Sequence, residues 1–128
     1  MKVTGGSCSD TITFSFRAAP GAGAPPYVIE SASPPFAQAG SGEPITVPGR
    51  AFLRIKFQPA WTADVQTGVS TYTGPRRIEP TGAAVTRGLV LFDSFEGVVG
   101  WIVGLDSSGA YTVTSSASPP RVTVTVGK

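Results

Sequence analysis

The sequence contains no histidine and a single cysteine, Cys8, in 128 residues. Without histidine there is no Ser-His-Asp or Cys-His nucleophilic arrangement, and without several Cys or His residues there is no ordinary set of zinc ligands. A single cysteine also excludes an intrachain disulfide. These absences predict a protein that is not an enzyme and that needs no metal or other cofactor.

Charged residues are scarce as well. They make up 14% of the chain, with 10 Lys and Arg against 8 Asp and Glu. Nucleic-acid-binding proteins usually carry stripes of basic residues, whereas the close basic groupings here are Arg54 with Lys56 and Arg76 with Arg77. We therefore expect no nucleic-acid partner. The 41% of hydrophobic residues is typical of a folded chain rather than a disordered one.

Long hydrophobic runs are missing. No apolar run approaches the roughly 18 residues of a membrane span, so no span is expected in this chain. The N-terminal sequence MKVTGGSCSD lacks the apolar core of a signal peptide. From the residues alone two locations stay open: the protein is intracellular, or a targeting segment is absent from this sequence.

Glycine and proline, by contrast, are frequent, with 16 and 12 residues. They leave one run longer than about ten residues, Ser7 to Ala19, and that run alternates apolar and polar residues with a period of two. Long helices are therefore excluded, and short strands separated by turns are favoured. The predicted fold is all-β: a small sandwich of two antiparallel sheets, with residues 10–128 as one domain and residues 1–9 as a flexible N-terminal segment.

The alternation assigns a core to this sandwich. Leu89 to Phe92 and Val98 to Leu105 are predicted to form a hairpin of central strands, and Ala32 to Pro48 a long, partly packed loop. Trp101 has apolar neighbours at a period of two and is assigned to the core. The predicted core residues are Ile12, Phe14, Phe16, Leu53, Ile55, Phe57, Leu89, Leu91, Val99, Trp101, Val103, Val122, Val124 and Val126.

The stretch TYTGPRRIEP supplies the first candidate ligand-binding residues, Tyr72, Arg76 and Arg77. A planar guanidinium suits the capture of a carboxylate or phosphate, and a neighbouring aromatic is a common floor for sugar rings. The alternative is structural: one arginine pairs with Glu79 or Glu96 and stabilises the turn. Adjacent strand residues face opposite sides, so both arginines serve one site only if they lie in a loop.

The second candidates, Arg54 and Lys56, alternate with apolar residues in AFLRIKF. Because buried charges are costly, their face is either open to solvent or belongs to an edge strand that they protect from aggregation. Ligand contact is the functional alternative. Asp93 and Glu96 lie three residues apart across a predicted turn, which favours backbone capping and ion pairing over glycosidase chemistry.

The order of AFLRIKFQPA, TYTGPRRI, FEGVVGWIVGLD and the closing PPRVTVTV resembles the AMIN-like domains of actinobacterial secreted proteins and lipoproteins over nearly the whole chain. The resemblance implies a small β-sandwich related to the AMIN domain, which in cell-wall amidases is a non-catalytic module that targets the enzyme to peptidoglycan. Family members carry G-x-D before the first strand, where this chain has Cys8-Ser9-Asp10, so no N-terminal site is carried over.

The resemblance also implies a location and a partner. It predicts an extracytoplasmic protein of the cell envelope whose signal or lipoprotein segment is absent from this sequence. The expected activity is non-catalytic binding of peptidoglycan or another cell-wall polymer through its glycan or peptide stems. The alternative is an envelope protein-protein interaction or scaffold domain with no glycan ligand.

Overall fold

The computed structural model describes residues 2–6, 8–15, 26–38, 41–58, 76–93, 98–107, 110–117 and 120–127. These residues form strands and no helix, and so no helix among them is long and apolar enough to cross a membrane. The strands are β1 (Lys2–Gly5), β2 (Ser9–Ser15), β3 (Tyr27–Ala32), β4 (Phe36–Ala37), β5 (Pro44–Ile45), β6 (Ala51–Phe57), β7 (Arg77–Ile78), β8 (Thr86–Asp93), β9 (Val99–Leu105), β10 (Tyr111–Ala117) and β11 (Pro120–Gly127).

Two antiparallel sheets form the body of the protein. The four-stranded sheet has the order β1-β2-β11-β10, and the five-stranded sheet has the order β3-β6-β9-β8-β7. Strands β4 and β5 pair separately with each other. The prediction of an all-β sandwich is therefore confirmed, and so is the hairpin pairing of β8 with β9 near the middle of its sheet.

The core lies between the two sheets, where the apolar residues of each alternating strand meet. The ring of Phe14 lies 5.1 Å from that of Phe57 and 6.2 Å from that of Trp101, centroid to centroid. These contacts join the sheets, since Phe14 belongs to the four-stranded one. All the predicted core residues that the structure describes are buried, Val85 and Leu105 join them, and Phe16 lies outside the described residues.

The N-terminal segment differs from the expectation of flexibility. Residues Lys2 to Gly5 pair with β2 in antiparallel register, and the side chain of Val3 packs against the core. The reason is that β2 would otherwise present a free edge, and Val3 adds apolar contact to the backbone pairing. Strand β3 turns Ile29 toward the core, where it is half-buried, whereas Val28 on its other face is 61% exposed.

The segment from residue 32 to 48 is more ordered than the predicted loop. Its β4-β5 pair carries Phe36 and Ile45, which pack with Val47 on the outer face of the five-stranded sheet. There they meet Val90, Phe92 and Ile102 and the half-buried Phe52, to form a second apolar cluster. We call residues 36–38 and 41–48 the covering segment, because it covers part of that outer face.

The covering segment needs a glycine beneath it. A Cβ added at Gly104 of β9 would lie 1.9 Å from the carbonyl oxygen of Pro48, which is a backbone atom that a rotamer change cannot move away. The same close approach lets the amide of Arg50 donate to the carbonyl of Leu105 at 2.7 Å. Gly104 therefore sets how tightly the covering segment seats on the sheet.

One buried carboxylate joins the two sheets. Asp10 of β2 has no exposed surface, and its oxygens accept hydrogen bonds from the backbone amides of Ala84, Val85 and Thr86 at 2.7, 2.9 and 2.7 Å. Those amides lie where the chain enters β8 of the other sheet. A buried amide without a partner is costly, so Asp10 fixes the start of β8 against β2.

The charge of Asp10 is stabilised in the fold. Burial acts to raise the pKa of its carboxyl, but the hydrogen bonds from the backbone amides of Val85, Ala84 and Thr86 outweigh burial and lower it. The hydroxyl oxygen of Thr86 is buried and completes no hydrogen bond within the described residues. Asp10 is therefore ionised in the native protein.

The exposed ion pair of Arg87 with Asp106 lies near the carbonyl groups of the segment whose amides bind Asp10. The guanidinium of Arg87 donates from Nε to Oδ1 of Asp106 at 2.7 Å and from Nη2 to Oδ2, and it also reaches the carbonyls of Ala83 and Ala84 at 3.3 and 3.4 Å. The hydrogen bond to Asp106 raises the pKa of Arg87, and burial opposes this. The amides of residues 84–86 thus donate to Asp10, and the carbonyls of Ala83 and Ala84 lie near the guanidinium of Arg87.

Replacing Asp10 should destabilise the protein strongly. Asp10→Ala leaves three amides without an acceptor, at about 1–3 kcal/mol for each buried group, so we expect a loss of at least about 3 kcal/mol in the free energy of unfolding. Urea unfolding at pH 7 measures it. The control is Glu30→Gln, which removes an exposed carboxylate and should cost less than about 1 kcal/mol. Equal losses in both variants would contradict the assigned role of Asp10.

The contribution of Asp10 should also disappear in acid. Its pKa is lower in the folded than in the unfolded protein, so its stabilising effect is complete above the unfolded value near pH 4 and is lost as the pH falls through the folded value. The difference in unfolding free energy between the parent and Asp10→Asn should therefore shrink from pH 6 to pH 2. A difference that stays constant over this range would show that the carboxylate charge is not involved.

Gly104→Ala should dislodge the covering segment. The added methyl group meets the Pro48 carbonyl, and we expect a loss of about 3 kcal/mol together with exposure of the second apolar cluster to a hydrophobic dye. Gly127→Ala is the matched control, since a Cβ there meets nothing closer than 3.8 Å. Unaltered dye binding in Gly104→Ala would argue against the seating of the covering segment on β9.

Candidate functional site

The candidate site lies on the outer face of the five-stranded sheet, beside the covering segment. Strand register places Lys56 opposite Gly100 and Arg54 opposite Ile102. Ile55 and Leu53, which alternate with them, are buried in the core on the other face. Arg54 and Lys56 therefore point away from the core, as the sequence pattern predicted.

An aromatic ring lies between these two cations. The guanidinium carbon of Arg54 is 5.9 Å from the centroid of the Phe92 ring, and Nζ of Lys56 is 5.8 Å from it. The ring is 8% exposed and packs over Gly100, where a Cβ would lie 2.8 Å from it. Each contact with the ring contributes about 0.5–1 kcal/mol at a solvent-exposed site and limits where the cation can move.

Arg54 also has an acidic partner. Its Nη1 lies 3.1 Å from Oε1 of Glu30 on the neighbouring strand β3, with side chains that are 33% and 52% exposed. Directly opposed charges on neighbouring strands stabilise a sheet modestly. Lys56 faces Val28 in the same register, so the charge of Lys56 is directly opposed by no acid across β3.

The edge-strand interpretation of Arg54 and Lys56 is wrong. Strand β6 pairs with β3 on one side and with β9 on the other, so it lies inside the sheet. The sequence could not show this, because the neighbour on the free side is β3, which is separated from β6 by the covering segment. The solvent-exposed alternative holds instead, on the outward face of an interior strand.

The two arginines of the Gly-Pro turn lie at the far edge of this same sheet. Both are exposed, and Arg77 begins β7. Arg77 lies opposite Val90, which lies opposite Ile102, which lies opposite Arg54. Arg77 and Arg54 are thus on one face, three strand spacings or about 14 Å apart. Arg77 therefore shares one surface with Arg54 and Lys56, although these residues are far apart in the sequence.

Arg77 is partly occupied by local contacts. Its Nη1 donates to the carbonyl oxygen of Thr46 at 2.6 Å, and its Nη2 lies 3.6 Å from Oε1 of Glu79. The structural alternative predicts Glu79 or Glu96 as the acid that pairs with one arginine and stabilises the turn, and Glu79 is the one that pairs with Arg77. Arg77 therefore ties β7 to the covering segment, while 47% of its side chain stays exposed to solvent.

Arg76 precedes β7, and its carbonyl accepts a hydrogen bond from the amide of Leu91 at 2.8 Å. Tyr72, the remaining predicted ligand contact, lies outside the described residues, as does Glu96. Asp93 ends β8 opposite Gly100 and is half-buried. Arg76 lies opposite Leu91, which is a core residue, so Arg76 does not share the outer face with Arg77. We call Arg54, Lys56, Phe92 and Arg77 the outer basic patch.

The patch has the chemistry of a weak contact with a carbohydrate or a polymer that carries both signs of charge. Its three cations are accompanied by Glu30, Glu79 and Asp93, so cations and acids are equal in number on this surface. Among the described residues no group of three or more Cys, Asp or Glu side chains could hold a metal ion. Cys8 is exposed and free.

Sequence reasoning missed the two polar contacts at residues 83–86. Asp10 entered only as the last residue of a family pattern, and its oxygens are already used by three amides, so Asp10 is a structural residue rather than a ligand site. Arg87 belongs to β8 and Asp106 directly follows β9, 19 residues away, and both lie just outside the two segments that the pattern predicted to pair. Opposite charges beside paired strands are the only signal that could have suggested this contact.

One comparison with known proteins found a match. The AMIN-like domain family matches residues 2–128, which includes β1 as well as both sheets. No match was found among curated proteins or among solved structures. The family match spans all the described strands, which form a sandwich of two antiparallel sheets. The chain therefore belongs to the AMIN-like domain family.

Proposed function

We propose that this AMIN-like domain is a non-catalytic module of the cell envelope that contacts peptidoglycan or another cell-wall polymer through the outer basic patch. The observation that carries the proposal is that Arg77 lies on the same sheet face as Arg54 and Lys56, the two cations that contact the Phe92 ring. In a chain with 14% charged residues, this surface holds three of the ten Lys and Arg residues.

The geometry favours a repetitive, mixed ligand. Arg54 and Arg77 lie on one row of the sheet, about 14 Å apart, so a single small anion cannot contact both, whereas an extended polymer can. Peptide stems supply carboxylates for the cations and amines for Glu30 and Glu79. Sugar rings suit the apolar surface offered by Val28, which is 61% exposed.

The binding should be weak and multivalent. Exposed ion contacts contribute on the order of 1 kcal/mol each, and salt screens them over about 8 Å at physiological ionic strength. Affinity for one repeat of the polymer is then low, and many repeats are needed for retention. A non-catalytic role accords with a sequence without histidine, and the extracytoplasmic location that we propose follows from the ligand.

Co-sedimentation with purified sacculi tests the proposal. The parent protein should pellet at low salt and be released as salt is raised. Arg54→Gln with Lys56→Gln should lower the apparent affinity by about thirtyfold, since two contacts of about 1 kcal/mol each are removed. Arg77→Gln tests the other end of the patch, where one contact is removed.

A matched control removes the same charge elsewhere. Arg50 and Arg121 are exposed and lie outside the patch, and Arg121 belongs to the four-stranded sheet. Arg50→Gln with Arg121→Gln should pellet like the parent. An equal loss of binding in all three variants would show that the interaction depends on the net charge of the protein and not on the patch. A parent that stays in the supernatant would contradict wall binding and favour the envelope scaffold role without a glycan ligand.

A further inference from the structure

Among the strands that the structure describes, β10 is an edge of the four-stranded sheet. It runs over seven residues, Tyr111 to Ala117, with the sequence YTVTSSA, and it pairs with β11 on one side while no described strand pairs with its other side. It contains no charge, proline or glycine. Natural sheets usually blunt such edges with charges, prolines or bulges, because a free row of amides and carbonyls recruits another strand.

The other described edges are blunted. Strands β1 and β7 have four and two residues. Strand β3 carries Glu30, which is paired with Arg54. Among the edges that the structure describes, β10 is thus the one that is both long and uncharged, which is the profile of a strand with a partner.

The register shows which backbone groups of β10 are free to pair. The amide of Gly127 donates to the carbonyl of Ala110 at 3.1 Å. Since antiparallel hydrogen-bonded pairs alternate, Thr112 and Thr114 also direct their backbone groups toward β11. Tyr111, Val113 and Ser115 direct theirs outward, toward a possible partner strand.

The edge is complementary to itself. Its centre, Thr112-Val113-Thr114, reads the same in both directions, so a second copy that pairs antiparallel about Val113 brings Thr112 opposite Thr114 of the other chain, and Val113 opposite Val113. Cross-strand Thr-Thr pairs and apolar pairs are favourable, and no like charges meet. The half-buried Val113 and the 39% exposed Tyr111 gain cover on the core side.

From this self-complementarity we propose that two copies of this chain associate edge to edge through β10, as an antiparallel pair centred on Val113. About six backbone hydrogen bonds join the two four-stranded sheets into one continuous sheet of eight strands. The two-fold axis is perpendicular to that sheet. The contact is small, so the dissociation constant lies in the micromolar to millimolar range.

The geometry of this dimer has a consequence for binding. In a continuous sheet the core sides of both copies face the same way, so both five-stranded sheets lie on one side of the dimer. If the proposed wall binding holds, the two outer basic patches face the same surface, and one polymer layer can engage both. The dimer itself is independent of that function, and its test uses no wall material.

Sedimentation equilibrium between about 10 µM and 0.5 mM tests the dimer. The average mass of the parent should rise with concentration from 13.1 kDa toward twice that value. Thr112→Lys with Thr114→Lys sets lysines opposite one another across the axis and should weaken association at least tenfold. Both threonines are exposed, so the variant should keep the parental circular dichroism spectrum.

Two further variants complete the test. Thr123→Lys with Thr125→Lys adds the same charges on the same face of β11, one strand farther from the axis, and should associate like the parent. Thr112→Glu with Thr114→Lys places opposite charges across the axis and should restore association only in the register centred on Val113. A monomeric parent at 0.5 mM, unweakened association of the double lysine variant, or a monomeric Glu-Lys variant would each overturn the proposal.

Discussion

The hydrogen bonds between Asp10 and the amides of residues 84–86 set the geometry on which the rest of this structure depends. The apolar residues between the two sheets provide most of the driving force, but apolar contact is non-directional and fixes no register between sheets. A carboxylate with three amide donors does fix one, since the donors belong to the segment that leads into β8. The position of β8 then sets β9 by pairing, and β9 sets β6 and the seat of the covering segment.

The outer basic patch follows from this order of strands. Phe92 ends near Gly100 because β8 and β9 pair with a register shift between Leu91 and Asp93, and the ring then lies within 6 Å of two cations from β6. Three separate strands therefore supply one surface. The covering segment lies over much of the same sheet face. The exposed cations therefore lie on the part of the face that the covering segment does not cover. A ligand that approaches this face meets the cations and Phe92, the residue that the patch shares with the second apolar cluster.

The sequence predicts the fold class well and the site only in part. Alternation in AFLRIKF and VTVTV identifies the buried face of β6 and β11, because period-two burial is a local property of a strand. Which strands are neighbours is not a local property. The sequence therefore leaves open an edge position for Arg54 and Lys56, and it does not indicate that Arg77 lies on the same sheet face. The strand at Lys2 to Gly5 and the β4-β5 pair were missed for a related reason: short segments gain their structure from the sheet surface that they cover. Asp10 gives no periodic signal, since its partners are backbone amides some 75 residues away.

The central claim of this account is that the face of the five-stranded sheet that carries Arg54, Lys56 and Arg77 is the binding surface. Amide chemical shifts followed during a titration with soluble peptidoglycan fragments test it most directly. The account predicts shifts confined to β6, β7 and the end of β8, with the four-stranded sheet unaffected and all shifts diminished by salt. Shifts centred on the four-stranded sheet, or none at millimolar fragment, would contradict it.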